Sequence, residues 1–428
     1  MALGLSSEFD YFTKQVIASD ILEEYDIAIG PRQAISGKQP IEFVIDAVPD
    51  VYRDLNNSLL EVTCKVTQNS GENLAATAAV APVNLVLHSL FKSCEVQLNG
   101  KRVSDANNYY AERAYLETVL NCSDEILKTR GVCEGWANDN SARMNAILLT
   151  GETNEGFVKR NKWCAESKEM KFVGRLHSDL FHQPLDIPGN VQIKIKLEQN
   201  PDNKVLMAAA NATFKVVLES ARLLVRSKRI APDLLLAHEK FLSRMNYRIP
   251  YTKVIMKADS VATGQSTVSR NNYHEGPMPS RITIFMVRTA TVNGAYDNSP
   301  FNFEALGKTN MRLKIDKEWC PYEELTTDYA KGTYHSAYLS TLAALGLDQG
   351  NRVPAVTPED WARSFNVYSF KLIPGTINPS IIHTSHSRKV NVELHVKFAT
   401  ELAEPITIFA YIEQPALLEI DRLNSVIE

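Results

Sequence analysis

VQLNGKRVSDANNYYAERAYLETVL, residues 96–120, sets two periodicities side by side. Alternation leads into Asn99-Gly100, a dipeptide that accepts the positive φ angles of a two-residue hairpin turn. Within ten residues Tyr110, Ala114, Leu116, Val119 and Leu120 fall at helical spacing. Nothing in the stretch looks like chemistry. It reads as architecture: a strand hairpin followed by a connection long enough to hold a helix.

Working outward, most regular segments are short and strand-like. Val191–Leu197 (VQIKIKL) puts Val191, Ile193, Ile195 and Leu197 on one face and Gln192, Lys194 and Lys196 on the other. Val390–Val396 (VNVELHV) repeats the pattern with Asn391, Glu393 and His395 facing out. Ile41–Ile45, Leu59–Val66, Thr213–Val217, Ala221–Val225, Lys253–Lys257, Ile282–Val287, Met311–Ile315 and Ile406–Ile412 complete the set. One apolar and one wet face per strand suits packed antiparallel sheets. Helices are few: besides the opening stretch, Pro232–Met245 with Pro232 at its first position, Tyr334–Leu345, and a short one opened by Thr357-Pro358-Glu359-Asp360.

Two landmarks recur at nearly one offset. Asn99-Gly100 returns at Asn293-Gly294, 194 residues on, and the strand at Val191 returns at Val390, 199 residues on. Together they predict two copies of a β-unit of about 195 residues, too long a period for a solenoid or propeller blade. Eight or so strands per copy with helices in the connections describes a jelly roll. The expected fold class is therefore all-β: two tandem jelly-roll sandwiches, with a few helices inserted in the connections. The expected organisation is an N-terminal arm or helix over 1–35, a first jelly roll over 36–228, a linker with a helix over 229–250, and a second jelly roll over 251–428. No comparable helical run follows Asn293-Gly294, so the helix after Asn99-Gly100 reads as an insertion of the first copy that packs at a contact.

The 428 residues include 44% hydrophobic side chains, enough for large cores, and the net charge of −4 argues against a surface wrapped in nucleic acid. The N-terminus lacks a basic segment followed by an apolar one, so no secretory signal is expected, and no apolar run is long enough to span a bilayer. The six cysteines form no C-x-x-C pair and are read as free, mostly buried thiols. Phe9, Phe12, Val16 and Ile17, continued by Ile21, Leu22 and Tyr25, predict an N-terminal helical face, either capping its own domain or docking on a neighbour.

The motifs of P-loops, zincins, EF-hands and α/β-hydrolases are absent from the sequence. His383, His386 and His395 form one metal-like group, read more simply as a polar turn because no carboxylate or Cys sits at ligand spacing. His177 and His182 beside Asp179 form another, again read as a solvated turn. The basic run Arg222–Arg229 is either a phosphate strip or a strand end and charged linker, the latter favoured by the weak net charge. Lys159–Trp163 is a similar basic loop beside an aromatic. Glu23-Glu24, Asp46 with Asp50, and Glu323-Glu324 offer no positioned acid–base pair. No catalytic, cofactor-binding or metal residue is assigned, no cofactor is expected, and an enzyme is not expected.

Pro40–Val66 (PIEFVIDAVPDVYRDLNNSLLEVTCKV) and Pro82–Leu120, with a Tyr-x-Asp-Leu turn in the first and LNG-x-x-Val-Ser-Asp in the second, carry a family resemblance. They resemble the major capsid proteins of Maverick/Polinton-type elements and adintoviruses, and the relatives of those proteins in animal genomes. The resemblance implies a double jelly roll of the adenovirus and tailless-phage capsid lineage. It implies homotrimers that form pseudo-hexagonal capsomers of an icosahedral virion, with penton or minor capsid proteins as further partners. It also implies assembly in the host cytoplasm or nucleus and no specific nucleic-acid binding. By the same analogy Tyr109–Leu127 is an interface element and Glu318–Phe365 a tower or lid. The alternatives are a glycan-binding or glycan-active double sandwich, against which the missing signal and the scattered Trp136, Trp163, Trp319 and Trp361 speak, and a domesticated intracellular descendant of a capsid protein.

Overall fold

The computed structural model describes residues 20–104, 107–348, 354–373 and 388–427. Among the described residues, eight strands build the two main sheets of the first half: β1 (Ile21–Ile29), β2 (Ile41–Ile45), β3 (Val51–Gln68), β4 (Phe91–Leu98), β5 (Lys101–Arg102), β6 (Met170–Gly174), β7 (Ile193–Gln199) and β8 (Phe214–Ile230), beside a short pairing of Ala81–Pro82 with Leu206–Met207. Eight more build the main sheets of the second: β9 (Tyr247–Val261), β10 (Thr267–Pro277), β11 (Arg281–Arg288), β12 (Lys308–Ile315), β13 (Glu318–Cys320), β14 (Val367–Lys371), β15 (Lys389–Phe398) and β16 (Ile406–Ile420), with the short strand Val426–Ile427 added on β16. The sheets run β1-β8-β3-β6 and β2-β7-β4-β5 in the first half, β9-β16-β11-β14 and β10-β15-β12-β13 in the second. Adding eight to each strand number turns one pair of sheets into the other. Neighbouring strands pair antiparallel throughout. The chain is a double jelly roll.

Alternation sets which face is buried. In β7, Ile193, Ile195 and Leu197 are fully buried while Lys194 and Lys196 are half-buried; in β15, Val392, Leu394 and Val396 are buried at equivalent places. Thr213–Val217 and Ala221–Val225, read as two strands, lie along one, the 17-residue β8. Among the described residues, the helices of six or more residues are α1 (Tyr110–Asn121), α2 (Glu155–Cys164), α3 (Pro232–Leu242), α4 (His335–Leu345) and α5 (Pro358–Arg363). Pro232 stands at the start of α3, and the Thr357 hydroxyl accepts from the Asp360 amide at 3.2 Å to cap α5.

Three expectations are corrected. First, Leu98 pairs with Lys101 around Asn99-Gly100 (φ 47° and 79°), the expected hairpin. Its counterpart in the second barrel is Asp316-Lys317, between Ile315 and Glu318, with Asp316 at φ 54°. Asn293-Gly294 instead ends the short helix Thr289–Asn293, with Gly294 at φ 95°. Any left-handed requirement, hairpin or helix end, selects the same dipeptide, so its recurrence was no register mark. Second, α4 and α5 lie between β13 and β14, the place that α1 and α2 occupy between β5 and β6. A helical insertion is therefore common to both barrels. Third, Ile21, Leu22 and Tyr25 belong to strand β1 and not to a helix; Phe9, Phe12, Val16 and Ile17 lie outside the described residues.

Each barrel has its own apolar cluster, yet the two exchange residues. Ala111, Ala114, Tyr115, Leu116 and Val119 of α1 join Phe285, Phe303, Leu313 and Phe409 of the second barrel. In return Ile249, Tyr251, Leu418 and Ile420, at the ends of β9 and β16, join Phe43, Val62 and Leu223 of the first. The six cysteines are free. Burial pushes the thiols of Cys64, Cys94 and Cys164 up to about 12; Cys122 and Cys320 are half-buried and Cys133 is exposed.

Candidate functional site: the polar seam between the barrels

Helix α1 has no wet face. Every residue from Tyr110 to Val119 is buried, including Glu112, Arg113 and Glu117. The apolar side docks on the second barrel through Tyr115, whose ring stacks on Phe301 at 4.1 Å with the planes 3° apart, and meets Phe303 edge-on at 5.7 Å. Tyr109 packs edge-on against Phe409 at 5.0 Å. The helix read from the opening stretch does pack at a contact, and that contact is between barrels.

Buried charges must find partners, and here they find one another. Arg113 Nε meets Glu117 Oε1 at 2.8 Å, one helical turn along, and Arg113 Nη2 meets Asp179 Oδ1 at 2.7 Å. The Tyr411 hydroxyl, on β16 of the second barrel, donates to Glu117 Oε1 at 2.9 Å. On the other carboxylate oxygen, Oε2, His177 Nδ1 lies at 2.6 Å and His182 Nε2 at 3.4 Å. Beyond His177 the ring of His88 stands edge-on at 4.6 Å, with its Nδ1 3.0 Å from the Tyr110 hydroxyl. His88 Nε2 has no hydrogen-bond partner and lies 3.9 Å from Glu134 Oε2.

Burial alone would raise the Glu117 carboxyl, but Arg113 and the hydrogen bonds from His177 and His182 outweigh it and hold it well below the usual carboxylate range. Arg113 is held charged in the same way, burial being overcome by Glu117 and Asp179. Burial lowers His177 and, more strongly, His88, and raises Asp179 against the pull of Arg113. The seam thus holds an ionised Glu117 beside a His177 imidazole that burial biases toward its neutral form. An ionised carboxylate only accepts, so the Nδ1 facing it carries the proton of His177.

His177, Asp179 and His182, read as a solvated turn, are drawn into this cluster; Asp179 is buried, His177 half-buried and His182 exposed. The correction comes from Glu117 and Arg113, which sequence reasoning missed. The available signal was a run of charges, Glu112, Arg113 and Glu117, on a helix with apolar residues all round. His395 sits on β15 beside Ser269 at 3.0 Å and Glu393 at 3.4 Å, while His383 and His386 lie outside the described residues. The Arg222–Arg229 run lies within β8 and is matched by acids: Arg222 by Glu61, Arg226 by Glu24 and Asp26, Lys228 by Asp54 and Asp186, Arg229 by Glu23. Lys159–Trp163 is helical, not a loop, and its Arg160 is buried on Asp139 at 2.8 Å. Asp46 accepts from Gln192 at 3.3 Å, Asp50 lies 3.4 Å from Arg229, and Glu324 pairs with Lys397 at 3.2 Å.

In the second barrel, Lys308 is fully buried with Nζ 2.5 Å from Asn366 Oδ1 and 3.8 Å above the Tyr368 ring. Among the described residues no carboxylate comes within ion-pair distance of it, and no helix is long and apolar enough to cross a membrane.

No protein-family model matches this chain. It is 21% identical over 382 residues to the uncharacterized protein F54H12.2 of Caenorhabditis elegans, covering 86% of this chain and 88% of that one. Among solved structures it is similar to the Faustovirus major capsid protein (TM-score 0.61, 11% identity, 98% of this chain and 93% of that one). It is similar to a chain of the Sputnik virophage solved by cryo-electron microscopy (0.60, 10%, 100% and 92%) and to the mavirus major capsid protein (0.54, 12%, 100% and 95%). Two of these three are viral major capsid proteins by name. At such identities the likeness establishes the shared fold.

Proposed function

We propose that this chain is a major capsid protein subunit, three copies of which close into a pseudo-hexagonal capsomer of an icosahedral virion. The observation that carries the reading is the two-barrel topology: two jelly rolls of one strand order in one chain, sharing core residues, with coverage of at least 98% of the chain by the Faustovirus and mavirus capsid proteins. Three such chains place six similar barrels around an axis, a tile that packs with sixfold neighbours. The buried charges of the seam are structural in this reading, and the chain is not an enzyme. Its partners are its own copies, then neighbouring capsomers and penton or minor capsid proteins. Assembly takes place in the host cytoplasm or nucleus. The helical insertion after β13 forms an outward tower.

The lineage we infer is the Maverick/Polinton and adintovirus type, supported by the motifs in Pro40–Leu120 and by a relative in an animal, C. elegans. The same animal relative supports a second reading, a domesticated intracellular descendant of a capsid protein. Mass measurement and negative-stain microscopy of the purified chain test both. Trimers of about 144 kDa, three times 47.9 kDa, or closed shells are expected of a capsid subunit. A stable monomer at all concentrations overturns the capsid reading and leaves the domesticated one.

A further inference from the structure

We propose that Glu117, His177 and His182 form a binding site for one divalent transition-metal ion, with Zn2+ the cation their chemistry suits, at the seam between the two barrels. The inference does not rest on the capsid reading.

The three candidate ligand atoms lie within 4.8 Å of one another. Tetrahedral zinc with bonds of about 2.0–2.1 Å sets neighbouring ligand atoms about 3.3–3.4 Å apart. Glu117 Oε2 and His182 Nε2 already stand at 3.4 Å, and the 2.6 Å contact from Glu117 Oε2 to His177 Nδ1 has to open by about 0.7 Å to meet that edge. Two imidazoles and a carboxylate, with a fourth position left to water, is a donor set zinc accepts.

The surroundings are arranged as a metal site requires. Arg113 and Tyr411 both engage Oε1, so the carboxylate is oriented and presents Oε2. Asp179 fixes Arg113 in turn at 2.7 Å. The His177 backbone N–H donates to the Tyr110 hydroxyl at 3.3 Å. The His182 side chain, about a third exposed (32%), gives a cation its way in.

A second group, His88, Glu134 and His177, also has ligand atoms within 4.8 Å of one another. It shares His177 and so competes with the first. Its His88–Glu134 separation of 3.9 Å is wider than the tetrahedral edge, and both side chains are more enclosed than His182. The first group is therefore the site.

The test is titration of the full-length, untagged chain, stripped with chelator, by Zn2+ in a calorimeter and by Co2+ in the visible spectrum. One Zn2+ per chain, tetrahedral-type Co2+ absorption and a rise in Tm with Zn2+ are expected. His182→Ala, at the accessible ligand, is expected to weaken binding by at least about tenfold, and Tyr411→Phe, which frees Oε1, by roughly tenfold. Glu117→Gln risks the fold and is not relied upon. His88→Ala is expected to leave affinity unchanged. No Zn2+ uptake, equal affinity in His182→Ala, or loss in His88→Ala in place of His182→Ala would each overturn the proposal.

Discussion

Lys308 brings an amine into the second barrel with an amide and an aromatic face for company. Burial without a compensating carboxylate pulls its ammonium well below the ordinary lysine value. Unfolded, the group titrates near about 10.4. Between the folded and unfolded values the unfolded chain binds the extra proton, so stability rises with pH across that window. Below the folded value both states are charged and the fold bears the whole burial cost. Lys308→Met is therefore expected to raise stability near neutral pH by about 1–3 kcal/mol, and its advantage over the natural chain to shrink as the pH is raised toward about 10. Denaturant melts of the two proteins at matched pH values check both the sign and the trend.

Among the elements, α1 decides how the barrels meet. Tyr115 is fully buried in a stack of aromatic rings, and its hydroxyl has no hydrogen-bond partner among the described residues. Tyr115→Phe is expected to stabilise by about 1 kcal/mol, because an unsatisfied buried hydroxyl is removed and the ring stays. Tyr115→Ala is expected to cost about 3–5 kcal/mol. Thermal and chemical unfolding of the two variants separate ring from hydroxyl. The helix itself was legible in the sequence, as were the Asn99-Gly100 hairpin, the strands around Ile193 and Val392, the start of α3 at Pro232 and the capped start of α5. Each rests on spacing or turn chemistry within a few residues. β1 was not legible: its charged side chains Glu23, Glu24 and Asp26 meet Arg229 and Arg226 some 200 residues away, and that pairing overrides a helical pattern in Ile21, Leu22 and Tyr25. The seam was half legible. His177 and His182 were visible as a pair, but the carboxylate that joins them lies 60 residues from His177 on another element.

At the scale of the molecule, the two halves repeat one topology but do not stand apart. The second barrel takes Tyr115 and Leu116 from the first, and the first takes Ile249 and Leu418 from the second. Shared cores couple stabilities, so a single unfolding transition is expected, with calorimetric and van't Hoff enthalpies in agreement. Two resolved transitions in scanning calorimetry would show that the exchanged residues do not bind the barrels into one cooperative unit.

The contact of Tyr411 with Glu117 spans 294 residues. A ribosome adding about 5–20 residues each second takes roughly 15–60 s to cover that distance. For that time the nascent chain carries α1, with its buried-to-be Arg113 and Glu117 and its apolar flank, before β16 exists to receive it. The waiting surface is long-lived on the scale of collapse and misassociation, which makes the middle of synthesis, and not its end, the stage at which this protein has most need of a chaperone.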